Sequence, residues 1–276
     1  MRILPVPVRE DNYAYLVLDS KHPSKGVFVD PYTLSTVQER AQREGVREVV
    51  GCITTHHHHD HSGGNADFAK AYPSAPIWGG SDQIPHLTTQ VAHGSSFPLF
   101  EGSSIQVTCH ATPCHTRDSI AFFLEDRDAG EGEVKRGVFT GDTLFVSGCG
   151  RFFEGEASEM DAALNKVLAS LPDDTLVYCG HEYTRSNVAF SLGVLPSNPH
   201  IQALADFVRS GKNGGVTTGV FTIGDEKKHN VFMLVREAEV AQRVGLEGQG
   251  QSKADPVEVM RRLREAKNEG KMVAKI

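Results

Sequence analysis

The chain has 276 residues, 39% of them hydrophobic, which is enough for a sizeable core plus a smaller second domain. Its formal charge of -7 argues against a nucleic-acid partner, which would favour a basic face. No apolar stretch approaches the length that spans a bilayer, and residues 1–8 carry neither an apolar signal core nor an Arg/Ser-rich leader, so a cytoplasmic location without membrane partners is expected.

Strands are predicted over 3–8, 13–18 and 26–29, the last stopped by Asp30-Pro31, and a polar helix over 35–44 is ended by Gly45. The apolar run from Val49 to Ile53 reads as a buried strand, followed by a short helix over 65–71. Further strands are expected at 75–78, 104–109, 119–124, 137–140 and 175–179. Residues 125–136, charged and Gly-rich, read as an exposed hairpin connection. A helix is expected over 158–170, opened by a near capping box at Ser158 and Asp161, with Leu164, Val167, Leu168 and Leu171 at helical spacing. Past Tyr183 helix signals dominate. Asn198-Pro199 opens one helix with Ile201, Leu204, Ala205 and Val208 on a stripe, and Asp255-Pro256 opens the last, running to about Asn268. Residues 245–254, rich in Gly, Gln and Ser, read as a loop. The interleaved pattern is α/β, with a boundary placed near residue 184: domains 1–184 and 185–276.

Candidate chemistry collects where strands stop. After Ile53 comes Thr54-Thr55-His56-His57-His58-His59-Asp60-His61-Ser62-Gly63-Gly64-Asn65. In its H-x-H-x-D-H spacing, His56, His58, Asp60 and His61 offer imidazole nitrogen and carboxylate oxygen, which suit zinc and its first-row neighbours. An expression tag would lie at a terminus, and this run is internal. His57 and His59 alternate with the ligand candidates and read as solvent-facing or as filler behind them. His115, Asp142 and His181 each follow a predicted strand. Taken singly, each reads as a residue that satisfies local backbone groups; together they can converge on one sheet edge. Five cysteines, Cys52, Cys109, Cys114, Cys149 and Cys179, lack paired zinc-ligand spacing and read as reduced core thiols. Cys114, beside His115, is the one a catalytic-cysteine reading would single out.

With these runs in view, the sequence resembles the metallo-β-lactamase-fold hydrolases, and within them the glyoxalase II, or hydroxyacylglutathione hydrolase, family. The likeness is carried by H-x-H-x-D-H-x-G-G-N, Thr112 to His115, Gly141-Asp142-Thr143-Leu144-Phe145, Gly148-Cys149-Gly150-Arg151-Phe152-Phe153-Glu154-Gly155 and Cys179-Gly180-His181-Glu182-Tyr183. It implies a four-layer αββα domain with a helical C-terminal domain, and two divalent metal ions, zinc first, with iron or manganese open. His56, His58 and His115 would hold one ion, Asp60, His61 and His181 the other, and Asp142 would bridge them.

The implied reaction is hydrolysis of an S-(2-hydroxyacyl)glutathione, S-D-lactoylglutathione above all, by a metal-bridging hydroxide, with no side-chain nucleophile. This is the second step of methylglyoxal detoxification. On the last helix Arg264 and Lys267 stand three apart. By spacing alone they read as a solvated charged face, or as a grip on the carboxylates of an anionic peptide. The resemblance places them on glutathione-binding positions, with Arg151, Phe153 and Tyr183. Arg151 stands where lysine is common and Phe153 where tyrosine is common, so one hydrogen bond to the tripeptide is in question. Thr116-Arg117-Asp118-Ser119 and His229 to Phe232 also depart from the usual pattern, and the 245–254 loop is longer. The competing readings are an iron-dependent persulfide dioxygenase of the same fold and, outside enzymes, a metal-stabilised glutathione-binding module. A nuclease of this fold would need a large insertion that is absent between His115 and Asp142. Monomer is the default assembly.

Overall fold

The computed structural model describes residues 1–246 and 254–276. Most of the loop expected over 245–254 therefore lies outside the described residues. The described chain divides into two compact units: 1–111, 118–141 and 175–181 form the first, and 112–117, 142–174 and 182–276 the second.

The first unit holds two sheets. In one, β1 (Arg2–Pro7), β2 (Tyr13–Leu18), β3 (Lys25–Val29), β4 (Glu48–Ile53), β5 (Ile77–Gly79) and β6 (Thr89–Gln90) lie in sequence order. β1 to β3 run antiparallel and β3 to β6 parallel. Helix α1 (Leu34–Arg43) crosses from β3 to β4; α2 (His59–Ser62) and α3 (Asn65–Ala71) cross from β4 to β5. The other sheet begins with β7 (Ser96–Pro98), β8 (Ile105–Ala111), β9 (Ile120–Asp126) and β10 (Arg136–Gly141). Two short strands of the second unit follow in sequence, β11 (Leu144–Phe145) and β12 (Gly148–Cys149), and then β13 (Leu176–Cys179) adds parallel to β10, giving the order β13-β10-β9-β8-β7.

The sequence of β2 explains the layering. All six of its residues are apolar or aromatic and all are buried, as a strand covered on both faces requires. Ala14, Leu16 and Leu18 join Phe28, Val37, Ala41 and Phe68 in a core shared with α1 and α3. On the opposite face the Tyr15 ring lies 5.2 Å from Phe139 of β10 and 5.6 Å from Tyr178 of β13, so the two sheets stack there. Full burial of a side chain such as Phe28 or Phe68 stabilises the fold by about 1.5–3 kcal/mol.

The second unit carries the β11–β12 hairpin and the helices α4 (Ala157–Ala162), α5 (Thr184–Val194), α6 (Pro199–Arg209), α7 (Ile223–His229), α8 (Ala238–Arg243) and α9 (Pro256–Asn268). Asn198 caps α6 as expected, its side-chain oxygen accepting from the amides of His200 and Ile201; Asp255 caps α9 through the amide of Val257. The expected helix over 158–170 differs. It is α-helical only at α4, then widens to a π turn over Ala163–Val167 and tightens to 3-10 over Leu168–Ser170. Its start is not Ser158 with Asp161. The Glu159 carboxylate accepts from the Glu156 amide, while Asp161 is gripped by both guanidinium nitrogens of Arg236 at 2.8 Å. Among the described residues no helix is long and apolar enough to cross a membrane.

Candidate metal centre

In the first unit, β4 delivers the histidine loop. Cys52 and Ile53 are fully buried, so the strand end is fixed and the following residues turn on a rigid base. His56 and His61 are buried, while His58 and Asp60 are half-buried. His181 follows β13, and its neighbour Gly180 is pinned on both sides: its amide donates to the Gly141 carbonyl and its carbonyl accepts from the Tyr13 amide. One donor atom from each of Asp60, His61 and His181 falls within 4.8 Å of the others. Asp60 Oδ2 is 3.4 Å from His181 Nε2 and 3.9 Å from His61 Nε2. His56 Nε2 and His58 Nδ1 are 3.2 Å apart.

Asp30 sets the tautomers. Its Oδ2 accepts from His61 Nδ1 at 2.9 Å, which leaves Nε2 of His61 with the lone pair. The same oxygen accepts from the Thr55 hydroxyl at 2.7 Å, so that hydroxyl oxygen in turn accepts from His56 Nδ1 at 3.1 Å. One buried carboxylate thus orients two histidines. It does so from a left-handed backbone, φ 46°, which costs a non-glycine residue about 1 kcal/mol.

In the second unit His115 Nε2 is 3.4 Å from Asp142 Oδ2, and its Nδ1 donates to the Arg151 carbonyl at 3.0 Å. Both residues are buried. Gly150 makes the close approach: a Cβ there would meet the Asp142 carbonyl oxygen at 2.0 Å and His115 Nδ1 at 3.0 Å. Phe153, 60% exposed, sets its ring 5.2 Å from that of His115. Both donor sets combine imidazole with carboxylate, the composition that divalent first-row ions take, and His56, His61 and His115 each have the second nitrogen oriented. The residues fit bound metal.

The second unit also sets a buried cation beside a half-buried one. Arg264 is only 6% exposed; its Nη1 donates to the Cys149 carbonyl at 2.9 Å and its guanidinium lies 5.6 Å from the Phe232 ring centroid. Arg264 Nε, also buried, has no hydrogen-bond partner among the described residues. Lys267, half-buried, donates to Asn187 Oδ1 and rests 5.3 Å from the Phe190 centroid. Neither pairs with a carboxylate among the described residues. Burial, then the neighbouring Arg264 charge, pushes the Lys267 ammonium down to about 7. The solvated-face reading of these two residues is therefore overturned. Arg151 is exposed, and the partly exposed Tyr183 ring lies 5.1 Å from Phe145.

Two family profiles match consecutive stretches of the chain. Residues 10–181 match the metallo-β-lactamase superfamily and residues 182–270 the hydroxyacylglutathione hydrolase C-terminus. A probable hydroxyacylglutathione hydrolase of Schizosaccharomyces pombe is 43% identical over 94% of this chain and 93% of its own. The chain belongs to the hydroxyacylglutathione hydrolase family. A relative from Arabidopsis thaliana, described as a cytoplasmic hydroxyacylglutathione hydrolase, is 37% identical over 98% of this chain and 99% of its own. Among solved structures, ETHE1 from Myxococcus xanthus superposes with a TM-score of 0.65 at 24% identity, covering 96% of this chain and 90% of that one, a likeness of fold alone. The α/β metallo-β-lactamase fold with a helical C-terminal part is as the sequence implied.

The remaining candidates divide cleanly. All five cysteines are buried thiols, and burial pushes the Cys114 thiol up to about 12, which removes it as a nucleophile. His57 donates through Nδ1 to Asp118 Oδ1 at 2.9 Å, fastening the loop from behind, whereas His59 is exposed and meets Tyr32 edge-on. Sequence reasoning missed Asp30 and Asp118 as partners of the histidine loop. The only signal was Asp30-Pro31 ending a strand, which reads as punctuation.

Proposed function

We propose that this chain hydrolyses S-(2-hydroxyacyl)glutathione thioesters, with S-D-lactoylglutathione the preferred substrate, in the cytoplasm and as a monomer, without nucleic-acid or membrane partners. The observation that carries the substrate class is the pair of cations, Arg264 buried and Lys267 half-buried, that meet no carboxylate among the described residues. A buried unpaired charge is strongly unfavourable, and the two carboxylates of a glutathione moiety supply what is missing. Arg151, Phe153 and Tyr183 complete the proposed glutathione contacts, and residues 185–276 form the substrate-binding part beside a catalytic 1–184.

The proposed ligand sets are His56, His58 and His115 for one ion and Asp60, His61 and His181 for the other, with Asp142 shared. Held by these residues, two divalent ions, zinc by preference, would supply an activated water and a Lewis acid for the thioester carbonyl. The chain's own residues then do the rest. Arg264 and Lys267 anchor the tripeptide end, and Phe153 offers an apolar wall beside His115. No general acid is needed for the leaving group, because a thiol of pKa roughly 8.5 departs as thiolate. No side-chain nucleophile is needed either, consistent with the inert Cys114.

The test is turnover of S-D-lactoylglutathione, followed by loss of thioester absorbance, beside the lactoyl thioester of N-acetylcysteamine, which lacks both carboxylates. Fast turnover of the first, a much higher KM for the second and loss of both on chelation are expected. Equal KM values would sink the anion-site reading. Absence of turnover with two metal equivalents bound would sink the hydrolase, and oxygen uptake with glutathione persulfide would then be the assay that favours the dioxygenase.

A further inference from the structure

We infer that Asp11 and Asn12 are positioning residues for one metal-ligand set only, that of Asp60, His61 and His181; the inference rests on the two-metal reading above. Both lie on the turn between β1 and β2. Asp11 Oδ1 accepts from His181 Nδ1 at 2.9 Å, so the proton sits on Nδ1 and the lone pair on Nε2, the nitrogen that faces Asp60. Asn12 lies next to it and is 4% exposed. Its Nδ2 is 3.1 Å from Asp60 Oδ2, 3.4 Å from the Asp60 carbonyl oxygen and 3.4 Å from His181 Nε2. Neutral and donating, the amide holds the carboxylate's rotation without the repulsion that a second carboxylate would bring.

The backbone sets this register. Asn12 and His181 form an antiparallel bridge, the Val8 amide donates to the Asn12 carbonyl at 3.1 Å, and the Tyr13 amide donates to the Gly180 carbonyl at 2.9 Å. Residues 11 and 12 therefore stand opposite His181 whatever their side chains are. The turn does not need the Asp11 carboxylate for its own closure; that group, 43% exposed, reaches His181 instead of its own backbone. Neither residue hydrogen-bonds His56 or His58; the orientation of His56 is set through Thr55 and Asp30. The two ligand sets share Asp30, which stands behind His56 and His61, whereas Asp11 and Asn12 stand behind the second set alone, so that set can be weakened by itself.

The test compares wild type, Asp11→Ala, Asp11→Asn and Asn12→Ala by two readouts that do not depend on activity. Imidazole nitrogen NMR of the metal-free proteins reports the His181 tautomer. Zinc titration against a chromophoric chelator reports the affinity of each equivalent. Asp11→Ala is expected to move His181 away from the Nδ1–H tautomer and to weaken one zinc equivalent by about 10–100-fold, the other staying within about twofold. Asp11→Asn, whose side-chain oxygen can accept the same proton, restores most of the loss. Asn12→Ala weakens the same equivalent with the His181 tautomer intact. An unchanged tautomer in Asp11→Ala, or equal weakening of both equivalents, would overturn the inference. If wild type itself bound a single equivalent, the two-metal reading would fail, and the tautomer measurement would still decide the role of Asp11. Should Asp11→Ala not fold, Asp11→Asn and Asn12→Ala carry the same comparison.

Discussion

In the first unit Asp60, His61 and His181 bring a carboxylate and two imidazoles within 4.8 Å, each nitrogen turned by a partner behind it. In the second, Arg264 and Lys267 lie over the Phe232 and Phe190 rings and hydrogen-bond neutral oxygens. The first arrangement is rich in lone pairs and suits a cation; the second is rich in positive charge and suits an anion. Each region is internally incomplete in the opposite sense. A site is recognisable by the charge its surroundings leave uncompensated, more than by the residue types it contains.

The comparison breaks most visibly at the cation side. Asp60→Ala removes one donor and its charge, and the thioesterase kcat is expected to fall by about 100-fold or more, since a Lewis-acid contact is worth several kcal/mol. Metal analysis should record loss of one equivalent; full occupancy with unchanged kcat would remove Asp60 from the site. On the anion side the expected effect is smaller and of a different kind. Lys267→Met should raise KM for S-D-lactoylglutathione by about 10–100-fold, the worth of a charge-assisted hydrogen bond, with kcat nearly kept. Because the substitution also removes a half-buried cation, the thermal midpoint of the substrate-free protein should hold or rise, whereas a structural lysine would lower it.

Protonation sharpens the contrast. Lys267 is pushed down to about 7 in the fold from an ordinary 10.5, so between those pH values the unfolded chain binds the proton that the folded one releases. Stability from this group therefore rises as pH goes from 7 to 10.5 and is least below 7. Anion binding acts the other way, because it needs the ammonium form. At pH 8 glutathione binding should take up a proton, detected by calorimetry in buffers of differing ionisation enthalpy. Lys267→Arg should abolish the uptake; persistence in that variant would assign the proton elsewhere.

Smaller effects lie outside both sites. Asn198→Ala should lower stability by about 1 kcal/mol through loss of the α6 cap, read in urea unfolding, with kinetic constants unchanged. Iodoacetamide at pH 8 should leave activity intact, since the Cys114 thiol is buried and pushed up to about 12. Stoichiometric inactivation with Cys114 labelled would overturn that reading.

The sequence by itself determined the longer strands, the helices α1, α3, α6 and α9, and the seven candidate ligands, while the short strands β6, β7, β11 and β12 and the helices α2, α5, α7 and α8 appeared only in the structure. Alternation, capping residues and strand-end motifs are local features: α9 carries the bounds its apolar period and Asp255 cap imply, and α3 starts where the Gly63-Gly64 turn ends. The same holds for the H-x-H-x-D-H run, whose chemistry is written in its residue types. Tertiary structure alone decided which groups stand behind the ligands and which charges lose their water. Asp30 reads as a strand terminator, Asp11 carries no signal in the sequence at all, and Arg264 reads as one more charge on a basic helix. Their partners, His61, His181 and the Cys149 carbonyl, lie 31, 170 and 115 residues away in sequence. Desolvation and hydrogen-bond direction depend on what the fold brings alongside a group, and no window of neighbouring residues contains that information.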